Sequence, residues 1–305
     1  MSHAIELIGV GKTYRKSAFG SAFHALDNVS LAIAQGESFG FIGPNGAGKS
    51  TTIKILTGGL QPTSGEAMLF GTPASDHRAR AGLGYVPENP SLPDYMTPLE
   101  ILLMGAKLHR LDVADLRAHC MGWLSRFELA HVANKVIRGF SKGMVQRTAL
   151  AHALAIKPKL LILDEPLSGL DPIGRRDVVD ILAEYRSGGG TLFFSSHVLH
   201  DVERLADRYG LIHQGCLRAV SSPAELVGQD DQLTVRSLGG KKVEGQIAEP
   251  GERWVWELSQ SDLWRALAEI RSAGQELLEV RPRLSLESAF MRVIEQTKST
   301  DVRGN

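Results

Sequence analysis

GPNGAGKST, running from Gly43 to Thr51, decides the fold of this 305-residue chain. It fits the pattern G-x-x-x-x-G-K-[ST], with Gly43 and Gly48 as the fixed glycines, Lys49 as the cation and Ser50 as the hydroxyl. The glycines let the backbone through Pro44, Asn45, Gly46 and Ala47 curl, so that successive N–H groups face inward as an anion nest. The positive end of the helix that follows adds to that nest. In such a loop Lys49 sits on the outer phosphates, and Ser50 holds a magnesium ion. The flanks agree. ESFGFIG (Glu37–Gly43) reads as a short buried strand, and TTIKILTGG, from Thr51, reads as a helix ending at glycine.

Working outward towards the N-terminus, AIELIGVGKTYRK and LDNVSLAIAQGES read as two strands, the second ending in a turn at Gly36. Tyr14, ahead of the phosphate loop, can stack on a purine base or pack as an ordinary strand residue. The stretch Arg15 to His24 reads as a longer hairpin connection, with Phe19 and Phe23 covering the sheet edge.

Downstream, QPTSGEAMLFGTPAS is turn-rich with one short strand, and GLGYVPENP brings Glu88 after an apolar run that ends at Val86. That carboxylate can face a metal ion or a water, or simply be a solvated loop residue. Thr97, Pro98 and Glu100 form a capping box before ILLMGAKLHRL. DVADLRAHCMGWLSRFEL follows as a second helix with Met121, Trp123, Leu124 and Phe127 as core, so residues 95 to 139 read as a helical insert. In GFSKGMVQRTALAHALA, Ser141 caps a helix, Gly143 allows close approach to its first turn, and Val145, Leu150, Ala153 and Leu154 form the apolar face. Its N-terminus suits an anion, although taken in isolation an ordinary well-capped helix is the stronger reading.

LLILDEP (Leu160–Pro166) is a continuous apolar run ending in two acids, as a central parallel strand would be, and α/β sheets bind ligands at such strand ends. Asp164 there can hold the magnesium, and Glu165 can orient or activate an attacking water. SGLDP follows at Ser168 to Pro172. TLFFSSH ends a further buried strand at His197, next to the acid-bearing one, where a phosphate-facing role outweighs a purely structural one.

Lys and Arg balance Asp and Glu at 34 each without blocks of like charge, which disfavours a nucleic-acid platform. Cys120 and Cys216 stand far apart without metal-ligand spacing and read as reduced packing residues. No run of 18 apolar residues occurs, and MSHAIELIG lacks the regions of a signal peptide.

From about residue 4 to 222, these motifs in this order resemble the ATP-binding subunits of ABC transporters. GPNGAGKST is similar to the Walker A motif, LLILDEP to Walker B with Glu165 as catalytic glutamate, and FSKGM to the signature. His197 matches the switch histidine, Tyr14 the adenine-stacking aromatic and Asp171 the interface residue of the loop after Walker B. Two positions depart from the family: Glu88 stands where glutamine is usual, and Lys142 and Met144 replace a glycine and a glutamine of the signature.

The resemblance implies an α/β P-loop fold over residues 1–222, a mixed sheet core with a helical insert at about 88–155, and a small α+β accessory domain over 223–305. It also implies ATP and Mg2+ as cofactors. The metal would lie at Ser50, Asp164 and Glu88, and the ATP between the Walker A side of one copy and Ser141, Gly143 and Asp171 of a second. Each dimer would carry two ATP. A separate multi-spanning membrane permease, docked near Glu88, would be driven from the cytoplasmic face of the inner membrane, where the chain would sit peripherally. Export of a drug, lipid, polysaccharide or ion follows from the likeness of the C-terminal extension, including SLESAFMRVI, to that of bacterial exporters. A soluble ABC-type ATPase acting on ribosomes or DNA is the rival reading, and a phosphate-loop kinase a third.

In the accessory domain QLTVRSL, RWVWELS and LLEVRP read as strands, with SDLWRALAEIRSAG as a helix ending at Gly274. SLESAFMRVIEQ reads as a last amphipathic helix capped by Ser285, and Trp254, Trp256 and Trp264 are expected in the core.

Overall fold

A computed structural model describes residues 3–15, 22–222, 225 and 232–282. The chain divides into two units, Met1–Val220 and Ser221–Asn305. SLESAFMRVIEQ and Phe19 lie outside the described residues.

The first unit holds two sheets. β1 (His3–Arg15), β2 (Ala22–Ala34), β4 (Ser64–Leu69) and β5 (Thr72–Pro73) form one, in the order β2-β1-β4-β5. Where the sequence suggests one short strand, β4 and β5 are a hairpin. Its turn is Phe70 and Gly71, both at positive φ, the conformation that matches strand twist in two-residue turns. The second sheet is ordered β10-β9-β3-β8-β7-β6, built from β3 (Ser38–Ile42), β6 (Leu83–Val86), β7 (Leu160–Asp164), β8 (Thr191–Ser196), β9 (Arg208–His213) and β10 (Cys216–Ser221). From β9 to β6 the pairs are parallel.

Every residue of β3, β7 and β8 is buried, which explains the apolar runs at their centres. The core lies around α1 (Lys49–Leu56), where Ile53, Ile55 and Leu56 meet Ile5, Leu7 and Val10 of β1, Leu31 and Ile33 of β2, and Phe39 and Phe41 of β3. Phe39 and Phe193 stack with centroids 6.1 Å apart, tying β3 to β8.

Between β6 and β7 come α2 (Pro98–Leu108), α3 (Leu116–Arg126) and α4 (Lys142–Ala155). The Thr97–Glu100 capping box forms in both directions: Thr97 Oγ1 accepts from Glu100 N–H at 3.2 Å, and the Glu100 carboxylate accepts from Thr97 N–H at 2.8 Å. Within α3 only Cys120 and Leu124 are fully buried. Trp123 is half-buried, its ring packed between the buried Phe127, with centroids 6.5 Å apart, and the Arg126 guanidinium at 4.7 Å. α5 (Pro172–Ser187) and α6 (Leu199–Leu205) follow β7 and β8.

In the second unit, β11 (Gln232–Leu238), β12 (Ile247–Glu249), β13 (Arg253–Ser259) and β14 (Glu276–Pro282) form a sheet ordered β12-β13-β11-β14. Against it packs α7 (Leu263–Ser272), through Ala266 and Ile270 onto Val235 and Leu258. Trp264 is not core, being 79% exposed. The buried stripe of α7 is Leu263, Ala266, Leu267 and Ile270, and a residue one step after Leu263 is turned about 100° away from it.

Candidate active site

Parallel β-strands deliver their following loops to one edge of the sheet, and four of those loops carry the candidate residues. Gly43–Gly48 follows β3, Glu88 follows β6, Glu165 follows β7 and His197 follows β8. A cavity of about 400 Å3 lies there, lined by Pro44, Asn45, Gly46, Gly48, Lys49, Ser50 and Thr51, by Glu88, Glu165 and His197, and by Tyr14 with Phe23 and Ala25. Two glycines of the loop have no alternative. A Cβ on Gly43 would lie 2.4 Å from the Ile212 carbonyl oxygen, and Gly48 caps α1 at φ 114°, a left-handed conformation, with Ala25 O only 2.8 Å from where a Cβ would be. Ala47 is buried, and its carbonyl accepts from Gly215 N–H.

Lys49 is buried and its ammonium donates to Gly43 O at 2.6 Å, with Glu165 Oε1 at 3.4 Å. The other oxygen of Glu165, Oε2, lies 2.8 Å from His197 Nδ1. The carboxylate is therefore spanned by a lysine and an imidazole. Glu165 adopts φ 48°, a left-handed conformation uncommon outside glycine and often found where function demands it. Asp164, buried just before it, accepts a hydrogen bond from the Ser195 hydroxyl at 2.6 Å. Burial, with a further contribution from the charge of Asp164, raises the Tyr85 phenol above its ordinary value. Behind the site, burial pushes the Asp201 carboxyl up, against the opposing pull of Arg175.

The ABC transporter family model matches residues 26–168. An uncharacterised ABC transporter ATP-binding protein of Nostoc sp. is 37% identical over 281 residues, covering 89% of this chain and 84% of that protein. The chain belongs to the ABC transporter ATP-binding proteins. The bacitracin transport ATP-binding protein BcrA of Bacillus licheniformis is 39% identical over 201 residues, 63% of each chain. A dimeric, post-hydrolysis structure of the ATP-binding cassette MJ0796 bound to ADP and Pi superposes with TM-score 0.66 at 25% identity, covering 72% of this chain and 98% of that one. The chain is thus an ATP-binding subunit of the ABC transporter type and an ATPase.

Not every candidate of this ABC ATPase lines the cavity. Ser141 caps α4, its Oγ accepting from Met144 N–H at 3.3 Å, and both it and Asp171 are solvent-exposed outside the cavity. The helix that Ser141 caps reaches Asp171 through Arg147. This guanidinium reaches Asp171 Oδ1 at 3.4 Å and Glu128 Oε2 at 2.7 Å, while Asp171 itself caps α5 by accepting from Gly174 N–H. Gly143 faces Gly169 and Leu170, and the methylene stem of Lys142 lies against Gly169. The signature segment and the SGLD loop therefore form one surface. Val145, expected on the apolar face of α4, is only half-buried. That face instead includes Gln146, which is fully buried and donates to Pro166 O at 3.0 Å.

Sequence reasoning missed Phe23 as a cavity residue. It stands opposite Tyr14 in the β1–β2 register, so the hairpin brings both aromatics to the cavity. Alternation marks each strand, but only the register across the hairpin pairs these two rings.

Proposed function

We propose that this ABC ATPase hydrolyses ATP between two copies of itself and thereby powers a separate multi-spanning membrane permease, in export of a drug, lipid, polysaccharide or ion. The observation that carries the reading is the joint lining of one cavity by the phosphate loop, Glu165, His197 and the Tyr14–Phe23 pair. A triphosphate suits it along its length. The purine stacks on the aromatics, the phosphates lie in the nest of N–H groups at the start of α1, and Lys49 meets the outer phosphate oxygens.

Ser50, Glu88 and Asp164 offer only oxygen donors, as a hard divalent cation such as Mg2+ requires. When bound, Mg2+ neutralises charge on the phosphate oxygens. Glu165 accepts the proton of the attacking water, and His197, held by its Nδ1 to Glu165, turns its other ring nitrogen towards the γ-phosphate. Lys49 has two claimants, Glu165 and the phosphates. A phosphate oxygen entering the cavity competes for its ammonium and releases the carboxylate to act as base.

Ser141, Gly143 and Asp171 form a surface apart from the cavity, which supports their use by a second copy: each site joins the cavity of one chain to that surface of the other. Among the described residues no helix is long and apolar enough to cross a membrane, in keeping with a peripheral place at the cytoplasmic face of the inner membrane and a separate spanning partner. The domain after Val220 is read as an accessory to the dimer or to that partner.

The test is to tag the chain at its native level, extract gently in detergent and identify what co-purifies. A stoichiometric multi-spanning membrane protein is expected, and transport assayed in vesicles of that complex would give direction and cargo. Ribosomes or nucleic acid without a membrane protein would overturn the transport reading and leave the ATPase chemistry standing.

A further inference from the structure

β8 begins as an apolar strand and ends in two buried hydroxyls, Ser195 and Ser196. A buried hydroxyl must find partners to replace its hydration. Ser196 finds both on Val198, accepting from its N–H at 2.9 Å and donating to its carbonyl at 3.1 Å. Ser195 instead reaches across the sheet. The parallel register sets it beside Asp164, and its oxygen accepts from Glu165 N–H at 2.9 Å while its proton goes to Asp164 Oδ1 at 2.6 Å. The polarity is forced, since a backbone amide can only donate and the hydroxyl proton is then left for the carboxylate.

Glu165 needs such a brace because it stands at φ 48°. Its carbonyl accepts from Ser168 N–H at 3.0 Å, and the next carbonyl, Pro166 O, is held by Gln146 at 3.0 Å. Among these braces Ser195 alone also bonds Asp164. One fully buried oxygen therefore ties the backbone of one acid to the side chain of the other.

The geometry points to Ser195 as a positioning residue for ATP hydrolysis, one hydroxyl that aims both carboxylates at once. It holds Glu165 in the conformation that turns its carboxylate to Lys49 and His197. By engaging Oδ1 of Asp164, it also leaves the other oxygen of that group for the metal. No proton changes place at Ser195 during turnover. The inference rests on the reading of Glu165 as the base and Asp164 as a metal ligand.

The test uses the 305-residue chain with Ser195→Ala and Ser195→Cys. Four quantities are measured: kcat and KM for MgATP, the Mg2+ concentration that half-saturates binding of a non-hydrolysable ATP analogue, and the thermal midpoint. For Ser195→Ala, kcat is expected to fall about tenfold or more with KM within about threefold, the signature of lost transition-state positioning, and the Mg2+ requirement to rise about threefold. Ser195→Cys, nearly the same size but a weak donor and acceptor, should fall between, and it carries the test if the alanine variant does not fold. A folded variant with wild-type kcat and wild-type Mg2+ requirement overturns the proposal even if its midpoint drops, because that is what a purely structural hydroxyl would give. At saturating Mg2+ the double variant with Glu165→Gln should be no slower than Glu165→Gln alone, and a further multiplicative loss would also overturn it. Near-normal turnover of Glu165→Gln by itself would instead strike the base assignment, and the Mg2+ requirement of Ser195→Ala would then decide the role of Ser195.

Discussion

His197 Nδ1 and Glu165 Oε2 stand 2.8 Å apart, across the ends of two neighbouring parallel strands. The contact fixes the imidazole: Nδ1 carries the proton shared with the carboxylate, and the opposite ring nitrogen points onward. Lys49 approaches the second oxygen of the same carboxylate at 3.4 Å. Any ligand that draws Lys49 or His197 away changes the charge environment of Glu165, so under the proposed function phosphate binding and base activation would share one group.

Glu165→Gln keeps the size of the side chain and removes its basicity. ATP binding should persist while hydrolysis slows by about a hundredfold or more, as for loss of a positioned base, and an ATP-dependent dimer should survive size exclusion. Near-normal turnover would mean that another group takes the proton.

Lys49→Ala removes the buried cation that faces both Glu165 and the phosphate loop. Nucleotide affinity itself should drop, measured by equilibrium binding of an ATP analogue. An unchanged dissociation constant would count against the loop as the phosphate site.

Phe23→Ala removes one ring of the Tyr14–Phe23 pair. Phe23 remains 56% exposed, which puts the loss near the low end for a stacked base, about 1 kcal/mol or fivefold in KM for ATP, with kcat little changed. A fall in kcat at constant KM would move Phe23 from base binding to the chemistry.

Gly84→Ala tests the packing beneath the helical insert. Its Cβ would lie 2.9 Å from both Ala153 O and Leu161 Cδ1, in the strand that leads to Glu88. Overpacking against backbone should cost about 1–3 kcal/mol in a denaturant titration. A wild-type midpoint would show that α4 yields easily against β6.

His152, on α4, has its imidazole pKa lowered from 6.5 by burial, with a smaller contribution from His109. The folded state then binds its proton less readily than the unfolded chain. That contribution to stability is complete above about pH 6.5, is lost as the pH falls through the folded value, and levels off below it. Urea unfolding at pH 8, 6.5 and 5 should show the decline, and His152→Gln should flatten it. An equal slope in both proteins would assign the acid sensitivity to other groups.

The linear chain by itself determined the phosphate loop, the apolar β3 and β7, and the capping box at Thr97, because each depends on residues only a few positions apart. Helix starts, buried strands and an anion nest are local physics. Tertiary structure decided whatever rests on contacts between distant segments. Ser195 reads as one more small residue until the β7–β8 register sets it on Asp164 and the Glu165 amide. Phe23 reads as an edge aromatic until hairpin pairing brings it opposite Tyr14, and Trp264 reads as core until the buried stripe of α7 turns it to solvent. Arg147 joins Glu128, α4 and Asp171 only once three segments have packed. Sequence spacing reports which face of an element a residue occupies. Which neighbour meets that face is set by the register and packing of the whole fold.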